Sequence, residues 1–228
     1  MATLTPFSGK SHREPEGVDY PTGDGKPMAE DALHRDLMIY AIPALKLHFA
    51  DRPDVYISGN DFLYYEEGVP SRRISPDCYV VIGVEPKQRR RFYKVWEENN
   101  VLPAVVFEFT SAKTRREDEG SKRTIYETVL RVPEYFQFDP SGDYLKPRLQ
   151  GKRLQNDQYV TIALQNDRMY SEQLRLDLVI VEESLRFYDP VRGEWLHTHE
   201  EQAQRAEAAE AELARLRAEL EALRSKEE

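Results

Sequence analysis

Apolar residues recur through residues 28–49 at the spacing of an amphipathic helix. They step mostly by three or four positions: Leu33, Leu37, Tyr40, Ala41, Ala44 and Leu45. Pro43 lies inside this pattern and predicts an interruption or a kink in the helix. Three extended stretches follow, each rich in Val, Ile, Tyr and Phe and bounded by Gly, Pro or Asn: 55–65, 74–83 and 102–109. The pattern therefore predicts one helix followed by three strands.

The pattern turns helical again after residue 111, with Ile125 and Val129 about one turn apart and Pro133 just beyond the end of the helix. Residues 134–140 then have the pattern of a further strand closed by a turn. Short strands and hairpins are expected over the next segment, at 144–149, 159–162, 178–181 and 185–188. The order predicts an α/β fold made of a helix, three strands, a helix, a strand and a β-rich extension.

The two ends of the chain differ in pattern from the middle. From residue 199 Gly and Pro vanish, and apolar residues step by 3, 4, 3, 4 and 3: Ala206, Ala209, Leu213, Leu216, Leu220 and Leu223. This heptad seam predicts an intermolecular coiled coil, with a second copy of the chain as the simplest partner. The alternative is a solvated helix docked on its own domain. The first 26 residues, rich in Gly, Pro, Ser and Thr, predict a poorly ordered leader. The predicted division is a leader at 1–26, a domain at 27–198 and a coiled-coil tail at 199–228.

Composition narrows the class of protein. The 228 residues are 40% hydrophobic with a net charge of −9, which suits one globular domain with polar extensions and excludes a wholesale basic nucleic-acid coat protein. No apolar run approaches the ~18 residues of a membrane-spanning helix, and no signal-peptide core is visible. We therefore expect a cytoplasmic protein. The one cysteine, Cys78, excludes an internal disulfide and a thiolate-rich metal site, so a metal would need oxygen or nitrogen ligands.

Two carboxylates are candidates for such a metal site. Asp77 lies near the start of one predicted strand and Glu108 near the end of the next. If these strands pair antiparallel, the two meet at one edge of the sheet, where carboxylate oxygens suit Mg²⁺ or Mn²⁺. Such an ion polarises a phosphodiester and activates water, and Lys122 on the following helix is placed to supply an ammonium group. Two plainer interpretations stay open: Asp77 caps the turn after Pro76, or Glu108 forms a buried ion pair with Lys122 without a metal.

Positive charge clusters along the chain around these carboxylates, although the protein is acidic overall. The clustered residues are Arg72, Arg73, Lys87, Arg89, Arg90, Arg91, Lys113, Arg115 and Arg116. The run between the two strands is expected to project near the same edge of the sheet, where contacts to DNA phosphates would be useful. The alternative is a set of solvated loops, because Lys and Arg are common in surface connections.

Four segments of the chain resemble the Uma2 family of restriction endonucleases, a branch of the PD-(D/E)XK nuclease superfamily: ISPDCYVVIG, PAVVFEFTSAKTRREDEGSKRTIYETVLRVPEYFQFDP, LQGKRLQNDQYVTI and LRLDLVIVEESLRFYDPVRGEWL. The resemblance covers roughly residues 28–228, including the Ala- and Glu-rich tail. Its most specific feature is an ordered set of residues: Pro76-Asp77, Glu108, Ser111, Asp118, Lys122, Tyr126 and Val132-Pro133-Glu134-Tyr135.

The resemblance implies a restriction-endonuclease-like core in which Asp77 and Glu108 bind Mg²⁺ or Mn²⁺ and Lys122 is the catalytic lysine. Thr110 stands where the superfamily commonly has a lysine, two positions after Glu108. In this family the lysine has moved to the helix, and its long stem would reach back toward the end of the strand. Lys113, on the connecting loop, is the less favoured substitute.

Three further residues, Ser111, Asp118 and Tyr126, would support the site. Asp118 lies four positions before Lys122 and would position it, unless the two form only a surface ion pair. The resemblance implies a metal-dependent endonuclease that hydrolyses DNA. The heptad seam predicts that the protein acts as a homodimer, with the tail contributing. The alternative function is a catalytically inactive nuclease-fold module that binds nucleic acid or assembles proteins through its coiled coil.

Overall fold

The structure, a computed structural model, describes residues 18–21, 32–85, 90–110 and 118–227, with the backbone alone described at 118, 119, 223 and 225–227. The helices are α1 (Ala32–His48) and α2 (His199–Glu227). A 3-10 turn spans Val95–Glu98, and π-helical segments span Asp118–Lys122 and Ile125–Val129. The strands, in chain order, are β1 (Val55–Ser58), β2 (Leu63–Tyr64), β3 (Arg73–Ile74), β4 (Cys78–Ile82), β5 (Tyr93–Lys94), β6 (Pro103–Phe109), β7 (Glu134–Phe138), β8 (Leu149–Gln155), β9 (Gln158–Ile162), β10 (Arg168–Ser171), β11 (Leu176–Val181), β12 (Ser184–Asp189) and β13 (Glu194–Trp195).

The strands form three sheets within the described residues. The central sheet has six strands in the order β1-β4-β6-β7-β8-β9, and a four-stranded sheet has the order β10-β11-β12-β13. The third sheet has the order β3-β2-β5. In the central sheet β4 and β6 pair antiparallel, which is the pairing that the candidate site requires, whereas β6 and β7 run parallel. The result is a mixed α/β fold with a C-terminal helix.

The central sheet is buried on both faces, which explains why β6 is apolar at six of its seven positions. One face packs against α1 and the four-stranded sheet, with Phe107 of β6 edge-on to Phe187 of β12 at 5.6 Å between ring centroids. The other face holds a second apolar cluster that includes Val106, Tyr126 and Tyr135. A charged side chain on β6 is therefore enclosed, and Glu108 is that side chain.

Four predicted elements differ in the structure. The strand expected at 144–149 begins only at Leu149, as β8. Helix α1 runs unbroken through Pro43, whose ring lies on the exposed side, where water can bond the carbonyl that proline leaves free. The predicted strand 55–65 is split into β1 and β2, and the predicted strand 74–83 into β3 and β4. The two strand breaks lie next to each other. If Gly59 carried a Cβ atom, that atom would lie only 2.0 Å from the carbonyl oxygen of Asp77. Glycine is thus required where the chain passes Asp77.

Part of the predicted leader packs on the domain. Tyr20 is only 7% exposed, and its ring lies edge-on to Tyr64 at 5.1 Å between centroids. The ammonium group of Lys94 lies 4.3 Å from the centre of the same ring, and the Tyr20 hydroxyl accepts a hydrogen bond from the Gly68 amide at 2.7 Å. Residues 18–21 therefore belong with the third sheet, while the rest of the leader lies outside the described residues.

Helix α2 begins with a reciprocal cap. The Glu201 amide donates to the Thr198 hydroxyl at 3.2 Å, and the Thr198 amide donates to the Glu201 carboxylate at 2.8 Å. Arg186 of β12 also binds both oxygens of Glu201, which ties the first turn of α2 to the domain. Across the described parts of the chain, no helix has both the length and the apolar character needed to cross a membrane.

Candidate active site

Asp77 and Glu108 lie side by side at one end of the central sheet, as the strand pattern predicts. Cys78 pairs with Phe107, so the residue before Cys78 adjoins the residue after Phe107. The Phe109 amide donates to Oδ2 of Asp77 at 2.7 Å, which fixes this carboxylate against the end of β6. The Asp77 side chain is 14% exposed, whereas Glu108 is fully buried. The site is therefore a buried carboxylate beside one that reaches solvent.

Two side chains from the π-helical segments bind Glu108. The Lys122 ammonium group lies 2.9 Å from Oε2, and the Tyr126 hydroxyl donates to Oε1. Lys122 and Tyr126 are four residues apart, a spacing that puts them on one side of a helical turn. Burial, together with the charge of Glu108, raises the pKa of Tyr126 well above its ordinary value, so this phenol stays protonated and donates. The structure thus brings Asp77, Glu108, Lys122 and Tyr126 together.

His34 joins the site, and the sequence interpretation missed it. It lies in the first turn of α1, is 4% exposed, and places Nε2 3.2 Å from Oδ2 of Asp77. Burial raises the pKa of Asp77, but the hydrogen bond from His34, the charge of Lys122 and the Phe109 amide outweigh it and leave that pKa below its ordinary value. The available signal was position: His34 lies three residues before Leu37, on the buried side of the helix, where a polar residue needs a partner.

Several of the predicted supporting and basic residues lie outside the described residues, in whole or in part. Ser111, Lys113, Arg115 and Arg116 lie outside the described residues, as do Lys87 and Arg89. For Asp118 the structure gives the backbone alone, at the first position of the π-helical segment that carries Lys122. The roles assigned to these residues from the sequence stay predictions.

The described arginines of the basic clusters have different surroundings. Arg72 is exposed and lies 3.4 Å from Glu66, and Arg91 is also exposed. Arg73 lies over the Phe62 ring at 4.4 Å and donates to a carbonyl. The side chain of Arg90 is only 6% exposed, binds both oxygens of Glu98 at 2.9 and 3.0 Å, and covers the Tyr56 ring. Arg90 therefore stabilises the fold and is not available to a phosphate.

The pairing of the flanking strands changes what is expected of the connection between them. The connection leaves β4 at Ile82 and enters β6 at Pro103, and these two ends lie together at the end of the hairpin opposite to Asp77 and Glu108. In an antiparallel pair the connection between the two strands lies at one end of the pair, and here the two carboxylates lie at the other end. The strand pairing thus removes the reason for expecting the run from Lys87 to Arg91 to project beside the carboxylates.

The donor set at the sheet edge suits a hard divalent cation. Mg²⁺ is usually held by one or two protein carboxylates, with water and substrate phosphate completing its shell, and Asp77 with Glu108 is such a pair. Among the side chains that the structure describes, no three His, Cys, Asp or Glu residues group as a complete protein cage. Cys78 points to the other face, and burial raises its pKa far above the ordinary value, so its thiol is not a ligand.

Comparison with known proteins gives a family. The family model described as "Uma2: Putative restriction endonuclease" matches residues 12–188, well over half of the chain. The chain belongs to the Uma2 family. Among solved structures, it is similar to a protein described as "a putative nuclease belonging to DUF820" from Anabaena variabilis. The TM-score is 0.46 and the identity 11%, over 65% of this chain and 76% of the other. A search of curated proteins gives no significant match.

Membership of the Uma2 family confirms the resemblance drawn from the sequence and places the chain in a family described by nuclease activity. The matched region begins at residue 12, so it includes Tyr20, and it contains Asp77, Glu108 and Lys122. It ends at residue 188, before helix α2. The C-terminal helix of this Uma2 protein therefore has to be interpreted from its own residues.

Proposed function

We propose that this Uma2 protein is a divalent-metal-dependent endonuclease that hydrolyses DNA phosphodiester bonds. The observation that carries the proposal is the meeting of Asp77 and Glu108 at one sheet edge, with the Lys122 ammonium group 2.9 Å from Glu108. In the proposed site Asp77 and Glu108 hold Mg²⁺ or Mn²⁺, and Lys122 is the catalytic lysine. The family description supports the reaction class.

A bound Mg²⁺ or Mn²⁺ would polarise the phosphodiester and lower the pKa of a water molecule. The contacts of the described side chains already favour this chemistry. The Phe109 amide and His34 hold Oδ2 of Asp77, and a pKa below the ordinary value keeps this carboxylate ionised at neutral pH. Lys122 places a positive charge at the edge where the phosphate would approach, which favours the negative charge that develops in the transition state. His34 is a positioning residue for Asp77.

In the proposal the DNA phosphates are contacted by positive residues that lie close to the two carboxylates along the chain. Lys113, Arg115 and Arg116 follow Glu108 directly in the chain, and Arg72 is exposed a few residues before Asp77. Each neutralised phosphate adds affinity that falls as salt rises. The proposal also includes a homodimer to which α2 contributes.

One observation favours a second function, a nuclease fold without catalysis that binds nucleic acid or assembles proteins. Glu108 already has a cation within hydrogen-bonding distance in Lys122, and Tyr126 donates to its other oxygen. A carboxylate satisfied in this way does not require a metal to be stable in the interior. The two functions differ in whether a divalent ion enters beside Glu108.

The decisive experiment is cleavage of supercoiled plasmid by the full chain with Mg²⁺, with Mn²⁺ and with EDTA. Cleavage that needs the ion and disappears in Asp77→Asn, Glu108→Gln and Lys122→Met supports the proposal. The matched control is Asp36→Asn, which removes an exposed carboxylate on α1 and leaves cleavage intact. Full activity in all three site variants would refute the assignment.

Calorimetric titration with Mn²⁺ separates the second function from the first. The nuclease proposal expects binding heat in the wild type that Glu108→Gln abolishes. A wild-type protein that neither cleaves DNA nor binds Mn²⁺ would favour the non-catalytic module.

A further inference from the structure

Helix α2 presents its heptad seam to solvent. Leu213, Leu216 and Leu220 are 48%, 47% and 54% exposed, large values for three leucines in line on one helix. The helix is 29 residues long and is tied to its own domain at the first turn, by Glu201 with Thr198 and Arg186. The domain therefore leaves these three leucines about half-exposed, which makes α2 a candidate for pairing with another helix.

The charges beside the seam identify that helix. With Ala206 at heptad position a and Ala209 at d, the flanking g positions hold Arg205, Glu212 and Glu219. The flanking e positions hold Glu210, Arg217 and Arg224. In a parallel, in-register pair each g residue faces the e residue five positions later on the other helix. The three contacts are then Arg205 with Glu210, Glu212 with Arg217, and Glu219 with Arg224, and every one joins opposite charges.

Antiparallel pairing of two copies is less favourable, because g then faces g and e faces e. The alignment that overlaps the whole seam pairs Glu210 with Arg217, but it sets Glu212 against Glu219 on both sides of the centre and Arg205 against Lys226 at the ends. The alignment that stacks leucine on leucine, with Leu216 opposite Leu220, brings together some opposite charges, but its centre sets Arg217 against Arg217 and Glu219 against Glu219. Like charges at these positions are a common device for excluding an alignment.

From this pattern we infer that α2 forms a parallel, in-register coiled coil with α2 of a second copy of this chain. In the single chain Arg215, at an outer position, contacts Glu212 at 2.9 Å and Glu219 at 3.6 Å. These pairs are largely exposed and therefore weak, so the glutamates can turn to the arginines of the second copy. Because each α2 starts at its own domain, parallel pairing puts both domains at the same end of the coil.

The orientation can be tested by a single cysteine. The one native cysteine, Cys78, is buried, so a disulfide formed under mild oxidation can be attributed to a cysteine introduced into α2. Ala209→Cys at the seam is expected to give a disulfide-linked dimer of the full chain under mild oxidation, because the two copies of residue 209 face each other only in the parallel, in-register form. Ala208→Cys, on the outer face, is the matched control and stays unlinked.

The charge pairs are tested by reversal and rescue, with sedimentation equilibrium as the measurement. Glu212→Arg with Glu219→Arg places arginine opposite arginine and is expected to weaken dimerisation by about tenfold or more. Adding Arg217→Glu with Arg224→Glu is expected to restore it, and circular dichroism checks that α2 stays helical in each variant. A monomeric wild type, a dimer that Ala209→Cys does not link, or a reversal without effect would each overturn the inference.

Discussion

Two glutamates on neighbouring parallel strands, Glu108 of β6 and Glu134 of β7, are both fully buried but are held differently. Glu134 accepts hydrogen bonds from Arg153 at 2.7 and 3.0 Å. It also accepts from the hydroxyl of Ser171 and from two main-chain amides of the turn after β10. Glu108 accepts from the side chains of Lys122 and Tyr126.

The difference gives a criterion for separating a structural carboxylate from a candidate metal ligand. The main-chain amides that bind Glu134 cannot leave without unfolding a turn, so this glutamate joins the central sheet to the four-stranded sheet. The Lys122 ammonium group stands at the end of a flexible stem that is 12% exposed, and it can withdraw when a cation or a phosphate arrives. Burial is equal at the two positions, whereas the described donors differ in type.

The largest expected effect is on catalysis. Glu108→Gln should lower kcat/KM for metal-dependent plasmid cleavage by about a thousandfold or more, which is ~4 kcal/mol of barrier, because a neutral amide is a poor ligand for Mg²⁺. Glu134→Gln, measured per folded molecule, should retain cleavage close to the wild-type rate. Equal losses in the two variants would mean that Glu108 acts through the fold alone.

The next effect is on stability and falls on the other glutamate. Glu134→Gln should lower the free energy of unfolding by about 3 kcal/mol, since it leaves the Arg153 guanidinium without its buried partner. Glu108→Gln should cost about 1 kcal/mol, because Lys122 can turn to solvent. Urea unfolding followed by tryptophan fluorescence measures both values. The comparison fails if Glu108→Gln proves the more destabilising change.

A third buried carboxylate, Asp139, should behave like Glu134 and adds a dependence on pH. It accepts hydrogen bonds from the amides of Ser141, Gly142 and Leu145. Burial raises the pKa of Asp139, but hydrogen bonds from the amides of Leu145, Tyr144 and Gly142 and from the Ser141 hydroxyl outweigh it and leave that pKa below its ordinary value. A lowered pKa means that the stabilisation is present above the unfolded-state pKa and is lost as pH falls through the folded-state value.

Asp139→Asn should therefore cost about 2 kcal/mol at pH 7, with a gap to the wild type that narrows as pH falls below about 4. Thermal unfolding at a series of pH values measures this gap. A gap that stays constant down to low pH would show that the carboxylate charge is not what binds the turn.

The smallest expected effect concerns Tyr126. Tyr126→Phe removes the hydroxyl that donates to Glu108 and should cost about 1 kcal/mol of unfolding free energy. The loss should shrink when Mn²⁺ is saturating, because the cation then offsets the charge of Glu108. Thermal unfolding with and without Mn²⁺ tests this, and Tyr135→Phe, on the neighbouring strand, is the control whose cost should not change with the ion.

The sequence was sufficient, for a physical reason, to single out Asp77 and Glu108 as candidates, and their role as metal ligands stays a prediction. Glu108 interrupts a strand that is otherwise apolar on both faces, and a charge in such a strand stands out against its surroundings. The helix from residue 199 likewise follows from local periodicity. The antiparallel pairing of β4 and β6 was only a condition of the site prediction, and the structure meets that condition. The Uma2 family was also recoverable from the ordered motif.

What the sequence did not yield depends on long-range packing. His34 meets Asp77 only because α1 docks on the central sheet, and no local pattern encodes that docking. Arg90 looked like a DNA contact because its neighbours in the chain are basic, whereas its partner Glu98 is set by the fold. The strand breaks at Gly59 and Pro76 arise where two chain segments contact each other. The sequence of either segment alone therefore shows no sign of a break.

The packing of Tyr20 bears on the residue at which a recombinant form of this protein should begin. A recombinant chain beginning at residue 27, as composition alone would suggest, lacks the ring that covers Tyr64 and lies against the ammonium group of Lys94. Those groups would meet water, and the shortened protein would be more prone to aggregate during expression. Cloning from a position before residue 18 keeps the ring in place.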